Sequence, residues 1–132
     1  MVRNYLVLGV LASAFLLLAM FAPKTDAAGV CKGYLLGQGW ETEGDVKEEI
    51  VTLPKENDAV WAQYLALQRE NGFDLTPFCG REVRKLVFSV TNHPSGGPVY
   101  ATIYWADGGI IGGDIMSPAL AGFMHGLRAP NF

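Results

Sequence analysis

The chain has 132 residues and a mass of 14.3 kDa, which is the size of one domain. It carries 10 Lys and Arg against 13 Asp and Glu, so it lacks the concentrated basic surface that nucleic-acid binding requires. Charged residues make up 17% of the chain and apolar residues 50%, a balance that argues against bulk disorder and favours a folded core.

An uncharged apolar segment runs from Tyr5 to Ala22. As a helix it would span roughly 27 Å, close to the thickness of a bilayer's hydrocarbon core. Residues 1–27 are therefore predicted to be a single N-terminal membrane anchor, or alternatively a signal peptide that is removed near residues 25–27. Either alternative places residues 28–132 outside the cytoplasm, tethered to the cell membrane or, if the leader is cleaved, secreted.

The first half of the exported part predicts a helix, a strand and a longer helix. The short helix covers residues 30–38, and a strand rich in β-branched side chains covers residues 46–53. The main helix covers residues 55–71, because its apolar side chains recur with a period of 3.6 and Asn71-Gly72 supplies a left-handed stop.

The second half predicts three strands over residues 81–91, 99–105 and 109–116, followed by an apolar tail that covers a sheet edge. Asp107-Gly108 is a strong signal for a two-residue hairpin between the last two strands. The element order α-β-α-β-β-β predicts an α+β domain. In that domain the main helix packs on one face of an antiparallel sheet of about four strands.

The segment Gly112-Gly113-Asp114 offers two alternatives. A simple hairpin register places Asp114 opposite Ala101, on the face that carries Ile103, whereas a bulge at the two glycines would move the carboxylate to the other face. Asp114 is accordingly interpreted either as a structural acceptor of backbone hydrogen bonds or as part of a contact site for a ligand or partner.

Three further side chains are candidates for contacts. Tyr100 and Tyr104 share one face of a predicted strand and would form a recognition surface if the main helix covered the opposite face. His125 could join Asp114 in a hydrolase-type site, but two ligands make a poor zinc site, so no metal and no cofactor are predicted. No catalytic residue is assigned, because the sequence contains none of the common catalytic motifs.

Cys31 and Cys79 are the only cysteines. An oxidising exterior could join them in a disulfide, and the alternative is two unpaired thiols, either buried or on the surface.

Five short stretches together resemble an uncharacterised family of Firmicute proteins, domain of unknown function 4830. They are QGW (residues 38–40), LQRENGFDLTPF (67–78), VTN (90–92), IIGGDI (110–115) and GFMHGL (122–127). The resemblance covers nearly the whole exported part. It implies a membrane-anchored Gram-positive protein with a small exported domain, and it implies no known activity, cofactor or catalytic residue.

The sequence as a whole favours a membrane-tethered extracytoplasmic binding or protein-interaction module. Its expected partners are the membrane, through residues 5–22, and another envelope protein, with no nucleic acid. One alternative is a hydrolase-type enzyme that uses Asp114 and His125, and another is a propeptide-like inhibitor or chaperone domain.

Overall fold

The structure is a computed structural model that describes residues 26–129. Within that range the chain forms two α-helices and five β-strands, in the order α1 (Ala27–Gly37), β1 (Thr42–Thr52), α2 (Ala59–Glu70), β2 (Glu82–Val90), β3 (Val99–Ala106), β4 (Gly109–Met116) and β5 (Met124–His125). The strands form one antiparallel sheet in the order β1-β2-β3-β4-β5. The predicted α+β class is confirmed, and the sheet has one strand more than expected.

Helix α2 is the predicted main helix, but it begins four residues later than expected. Its N-cap is Asp58, whose side chain accepts a hydrogen bond from the backbone N–H of Trp61 at 2.9 Å. The helix ends as predicted at Asn71-Gly72, where Gly72 has a φ of +85°. Asp58 decides the start because its carboxylate satisfies a backbone donor at the end of the helix.

Helix α1 and strand β1 both begin before their predicted bounds. Asp26 caps α1, its carboxylate accepting a hydrogen bond from the N–H of Gly29 at 3.1 Å. Strand β1 pairs with β2 along most of its length and contains a register shift between Glu43 and Lys47, which the sequence pattern did not indicate.

The β3–β4 hairpin turns at Asp107-Gly108, as predicted, and both residues have positive φ values. Trp105 faces Ile110 in the expected register. Tyr104 then pairs with Gly112, so Ile111 is an extra residue on β4. This shift places Asp114 opposite Thr102 instead of Ala101. The bulge therefore comes before the two glycines at which the second alternative placed it, and it moves Asp114 to the other face of the sheet, as that alternative required.

Two core clusters cover the two faces of the sheet. On the first face, Ala27, Cys31 and Leu35 of α1 pack against apolar side chains of β2, β3 and β4: Leu86, Phe88, Ala101, Ile103 and Ile115. On the second face, Leu65 of α2 packs in a cluster with Leu53, Leu75, Val83 and Ile111. The main helix thus packs on one face of the sheet as predicted, and α1 covers the face that α2 leaves open.

The chain turns after β4 and returns as the short strand β5. Phe123 accepts a backbone hydrogen bond from Ser117, and His125 pairs with Ile115 at the edge of the sheet. The tail residues therefore cover a sheet edge as predicted, and they do so by adding a strand to it.

No helix within residues 26–129 is long and apolar enough to cross a membrane. The predicted membrane segment, residues 5–22, lies outside the described residues.

Candidate functional site

The segment Gly112-Gly113-Asp114 meets α2 on the second face of the sheet. Asp114 is 4% exposed, and Tyr64 of α2 donates a hydrogen bond from its hydroxyl to Oδ2 at 2.5 Å. The other carboxylate oxygen, Oδ1, is buried without a hydrogen-bond partner among the described residues. Buried carboxylates are normally paired or fully hydrogen-bonded, so a half-satisfied one marks an unusual site.

The environment of Asp114 favours its neutral form. Burial raises the pKa of this carboxyl to about 6, against the opposing effects of the Tyr64 hydrogen bond and the positive charge of Lys85. Burial and the neighbouring Asp114 carboxylate also raise the pKa of Tyr104 to about 12, and they raise the pKa of Tyr64 as well. At neutral pH the cluster therefore holds two neutral phenols beside a carboxylate that titrates close to physiological pH.

Aromatic packing holds Tyr64 in place. Its ring stacks on Trp61 with centroids 4.8 Å apart and meets Tyr104 edge-on at 6.3 Å. Since Trp61 and Tyr64 lie on one helix and Tyr104 on β3, these contacts join α2 to the sheet directly above Asp114.

Gly112 and Gly113 have packing roles. The Gln68 side chain accepts a hydrogen bond from the N–H of Gly113 and donates one to its carbonyl, both at 2.8 Å. It thus pairs with the backbone of β4 beyond the reach of β5, whose partners are Ile115 and Met116. A Cβ atom at Gly112 would collide with Gln68, and one at Gly113 would overlap the backbone oxygen of Thr102.

An open groove of about 360 Å³ adjoins this cluster, with Tyr64 as the shared residue. It is lined by Val60, Gln63, Tyr64, Leu67 and Met124. Two of the apolar side chains project strongly into solvent, since Val60 is 80% and Met124 is 50% exposed. We call this feature the α2–β5 groove.

The tyrosine face of β3 is divided by α2. Tyr104 is half-buried against the helix, whereas Tyr100 lies four residues away beside Met116 and is also half-buried. Thr102 between them is buried. The main helix thus packs on the same face as the tyrosines, so the condition set for a continuous recognition surface there is not met.

His125 lies on the opposite face from Asp114. Its strand partner is Ile115, so its side chain alternates with that of Asp114 and points toward the first core cluster. There its Nε2 atom lies 2.9 Å from Nε2 of His93. The structure therefore brings His125 to His93 and separates it from Asp114. No group of three or more metal-ligating side chains occurs within residues 26–129.

Both cysteines are free thiols, and the structure does not bring them together. Cys31 is buried in the first core cluster, whereas Cys79 packs beside the second and accepts a hydrogen bond from the Trp61 indole at 3.3 Å. Burial raises the pKa of the Cys31 thiol to about 11.

Sequence reasoning missed Tyr64 and Gln68 as functional partners of the glycine-rich segment. Their spacing of four residues places both on one side of a helix, and a glutamine on an apolar stripe is a signal that it meets a buried polar group. The contact of His93 with β5 was not predicted either, because nothing in the local sequence indicates that the loop of His93 meets that strand.

Comparison with known families finds a match to Domain of unknown function (DUF4830) over residues 34–115. The matched range includes Tyr64, Gln68 and Asp114, and it stops before β5 and His125. No curated protein and no solved structure matches the chain. Because the family match covers more than half of its 132 residues, the chain belongs to the DUF4830 family.

Proposed function

We propose that this chain is a membrane-tethered, extracytoplasmic protein-interaction module that binds an apolar segment of another envelope protein in the α2–β5 groove. The observation that carries the proposal is the pair of exposed apolar side chains, Val60 and Met124, on the rim of one groove. Apolar side chains that share a surface depression favour a protein contact, whereas single exposed ones need no explanation.

The base of the groove is suited to recognition because it is rigid. Tyr64 is held by its hydrogen bond to Asp114 and by the flanking rings of Trp61 and Tyr104. An immobilised tyrosine presents apolar area at a low cost in conformational entropy, which is why tyrosines are enriched where proteins bind one another.

The geometry gives less support to the hydrolase alternative. That alternative needs Asp114 and His125 within reach of each other, and the two side chains lie on opposite faces of the sheet. A binding role requires no such pair.

Site-specific photo-crosslinking in intact cells tests the groove. A photoreactive amino acid at Gln63, which lines the groove, should capture an envelope protein, and the same amino acid at Ile50 on β1 should not. Ile50 is a matched control because it is also strongly exposed, at 71%.

A second variant tests whether crosslinking depends on the apolar rim of the groove. Val60→Glu should abolish crosslinking from position 63, and the glutamate suits the first turn of α2, where a negative charge is favoured by the helix dipole. Equal crosslinking from positions 63 and 50, or crosslinking that survives Val60→Glu, would refute the groove as the binding surface.

The cellular location needs its own measurement. A membrane-impermeant maleimide should label Ala66→Cys, on the exposed side of α2, as strongly in intact cells as in lysed cells. The parent chain gives the background from its own thiols. Labelling that appears only after lysis would contradict the extracytoplasmic placement.

A further inference from the structure

The two histidines of the chain meet at a contact that joins the loop between β2 and β3 to the C-terminal strand β5. His93 belongs to the loop and His125 to β5, and their Nε2 atoms are 2.9 Å apart. The chain has no other histidine.

The surrounding hydrogen bonds favour one position for the proton of each ring. Nδ1 of His125 lies 2.8 Å from the carbonyl oxygen of Gly126, so this nitrogen donates and Nε2 is left as the acceptor. Nδ1 of His93 accepts a hydrogen bond from the backbone N–H of Ser95 at 3.1 Å and lies 2.8 Å from the Oγ of Ser95, and the first contact favours the tautomer with the proton of His93 on Nε2. His93 therefore donates to His125, and both rings are neutral.

Aromatic rings stack on the pair. The ring of His93 stacks on Trp40 at 5.3 Å and on Phe123 at 4.5 Å, and Phe123 also stacks on His125 at 5.5 Å. Glu41, next to Trp40, meets the same loop through its backbone, donating its N–H to the side chain of Asn92. Besides the Trp40 and Phe123 rings, the pair is thus contacted by the polar groups of Ser95 and the Gly126 carbonyl.

We propose that His93 and His125 form an acid-sensitive latch that holds β5 on the sheet while both rings are neutral and releases it when the pair takes up protons. One added proton leaves an N–H of one ring donating to Nε2 of the other, because Nδ1 of a protonated His93 can donate to Oγ of Ser95, 2.8 Å away. A second proton leaves an N–H on both Nε2 atoms, so that two donors and two positive charges face each other 2.9 Å apart. Uptake of the second proton therefore breaks the contact.

The direction of the pH effect follows from the same environment. Burial, with a smaller effect from His125, lowers the pKa of His93 below its ordinary value of 6.5. The released form binds protons more readily than the latched form, so the latch is fully stable above about pH 6.5 and weakens as the pH falls through the lowered pKa.

Release of the latch would change two contacts of the tail, one at Leu127 and one at Met124. The Trp40 indole donates a buried hydrogen bond to the carbonyl oxygen of Leu127 at 2.8 Å, which release of the tail would break. Met124 of β5 lines the α2–β5 groove, so release would also remove one wall of that groove. The second consequence, acid-weakened binding of a partner, rests on the proposed function, whereas the latch itself does not.

Nitrogen-15 NMR of the full-length chain in detergent micelles tests the latch. At pH 7.5 the histidine signals should report His93 as the Nε2–H tautomer and His125 as the Nδ1–H tautomer. Hydrogen exchange of the Trp40 indole N–H, corrected for the intrinsic rate, should then show opening that increases by up to about tenfold for each pH unit below 6.5.

Three variants make the result specific. His93→Gln cannot take up a proton, and its side-chain amide can donate to a neutral His125 or turn over and accept from a protonated one, so this variant should leave Trp40 protection constant between pH 7.5 and 5. Asp114→Asn is the matched control, because Asp114 titrates near the same pH on the other face, and this variant should keep the wild-type acid response. Val60→Glu, which impairs the groove but not the latch, should also keep it, so a failed proposed function would leave this result unchanged.

Reversed tautomers, or Trp40 protection that is equal at pH 7.5 and 5, would overturn the latch. So would an acid response that persists in His93→Gln. If that variant does not fold, the tautomers and the pH dependence of the wild-type chain decide the question by themselves.

Discussion

Asp114→Asn should remove a pH-dependent cost to the stability of this fold. Burial raises the pKa of the Asp114 carboxyl from 3.8 to about 6, so the folded chain holds a proton there more tightly than the unfolded chain. A group of this kind contributes its full stability below the unfolded pKa and loses it as the pH rises through the folded pKa. By pH 7 the lost stability amounts to about 3 kcal/mol.

The assay is urea denaturation of the full-length wild type and of Asp114→Asn in the same detergent, at pH 4 and pH 7. Other titrating groups are shared by the two proteins, so their contributions cancel in the difference between the free energies of unfolding. That difference should move by about 2–3 kcal/mol in favour of the variant as the pH rises.

The absolute stability of the variant at pH 7 rises by less than this change. The asparagine still accepts the hydrogen bond from Tyr64, but its amide group is left without a partner where Oδ1 was. A difference that stays constant from pH 4 to pH 7 would refute the reasoning, since it would mean that Asp114 titrates alike in the folded and unfolded chains.

Three further predictions follow from the packing around Gly113 and from the thiols. Gln68→Ala leaves the buried N–H and carbonyl of Gly113 unpaired and should destabilise the fold by about 2–4 kcal/mol in urea denaturation. The exposed Gln63→Ala serves as the matched control and should change stability little, and equal effects of the two would contradict the edge-pairing role. Gly113→Ala should abolish cooperative thermal unfolding, because its Cβ would overlap a backbone oxygen of β3, and a native-like melting curve would rule out that close contact. Non-reducing mass spectrometry should find both thiols free, with Cys79 alkylated before the buried, high-pKa Cys31, and a mass lower by two hydrogens would instead reveal a disulfide.

The elements with strong local signals could be predicted from the sequence. Helix α2 combines an apolar period of 3.6 with an Asn-Gly stop, and the β3–β4 hairpin has Asp-Gly at its turn. In each case the residues that determine the structure lie within a few positions of one another, so no knowledge of distant contacts is required.

The candidate site could be predicted only in part. The sequence pointed to Gly112, Gly113 and Asp114, because two glycines and a carboxylate are unusual in a strand. It did not identify Tyr64 and Gln68 as their partners, because Asp114 is fifty positions from Tyr64 and Gly113 is forty-five from Gln68.

The side of the sheet on which each candidate lies depended on one residue. The register shift between Trp105 and Tyr104 reverses which side chains in the rest of β4 point to each face of the sheet, and it thereby places Asp114 under α2. The same alternation places His125 on the other face, where it meets His93. The alternation of side chains along a strand does not show where a bulge adds one residue to that strand.

The sequence by itself determined the α+β class, the main helix, the hairpin and the net charge of −3, since each follows from composition or from contacts between near neighbours. Only the tertiary structure decided that α1 covers the side of the sheet that α2 leaves open, that the tail adds a fifth strand and that Asp114 meets Tyr64 while His125 meets His93. These features depend on the register between strands and on which apolar faces are buried together. Both are set by the packing of the folded chain and not by any short segment of it.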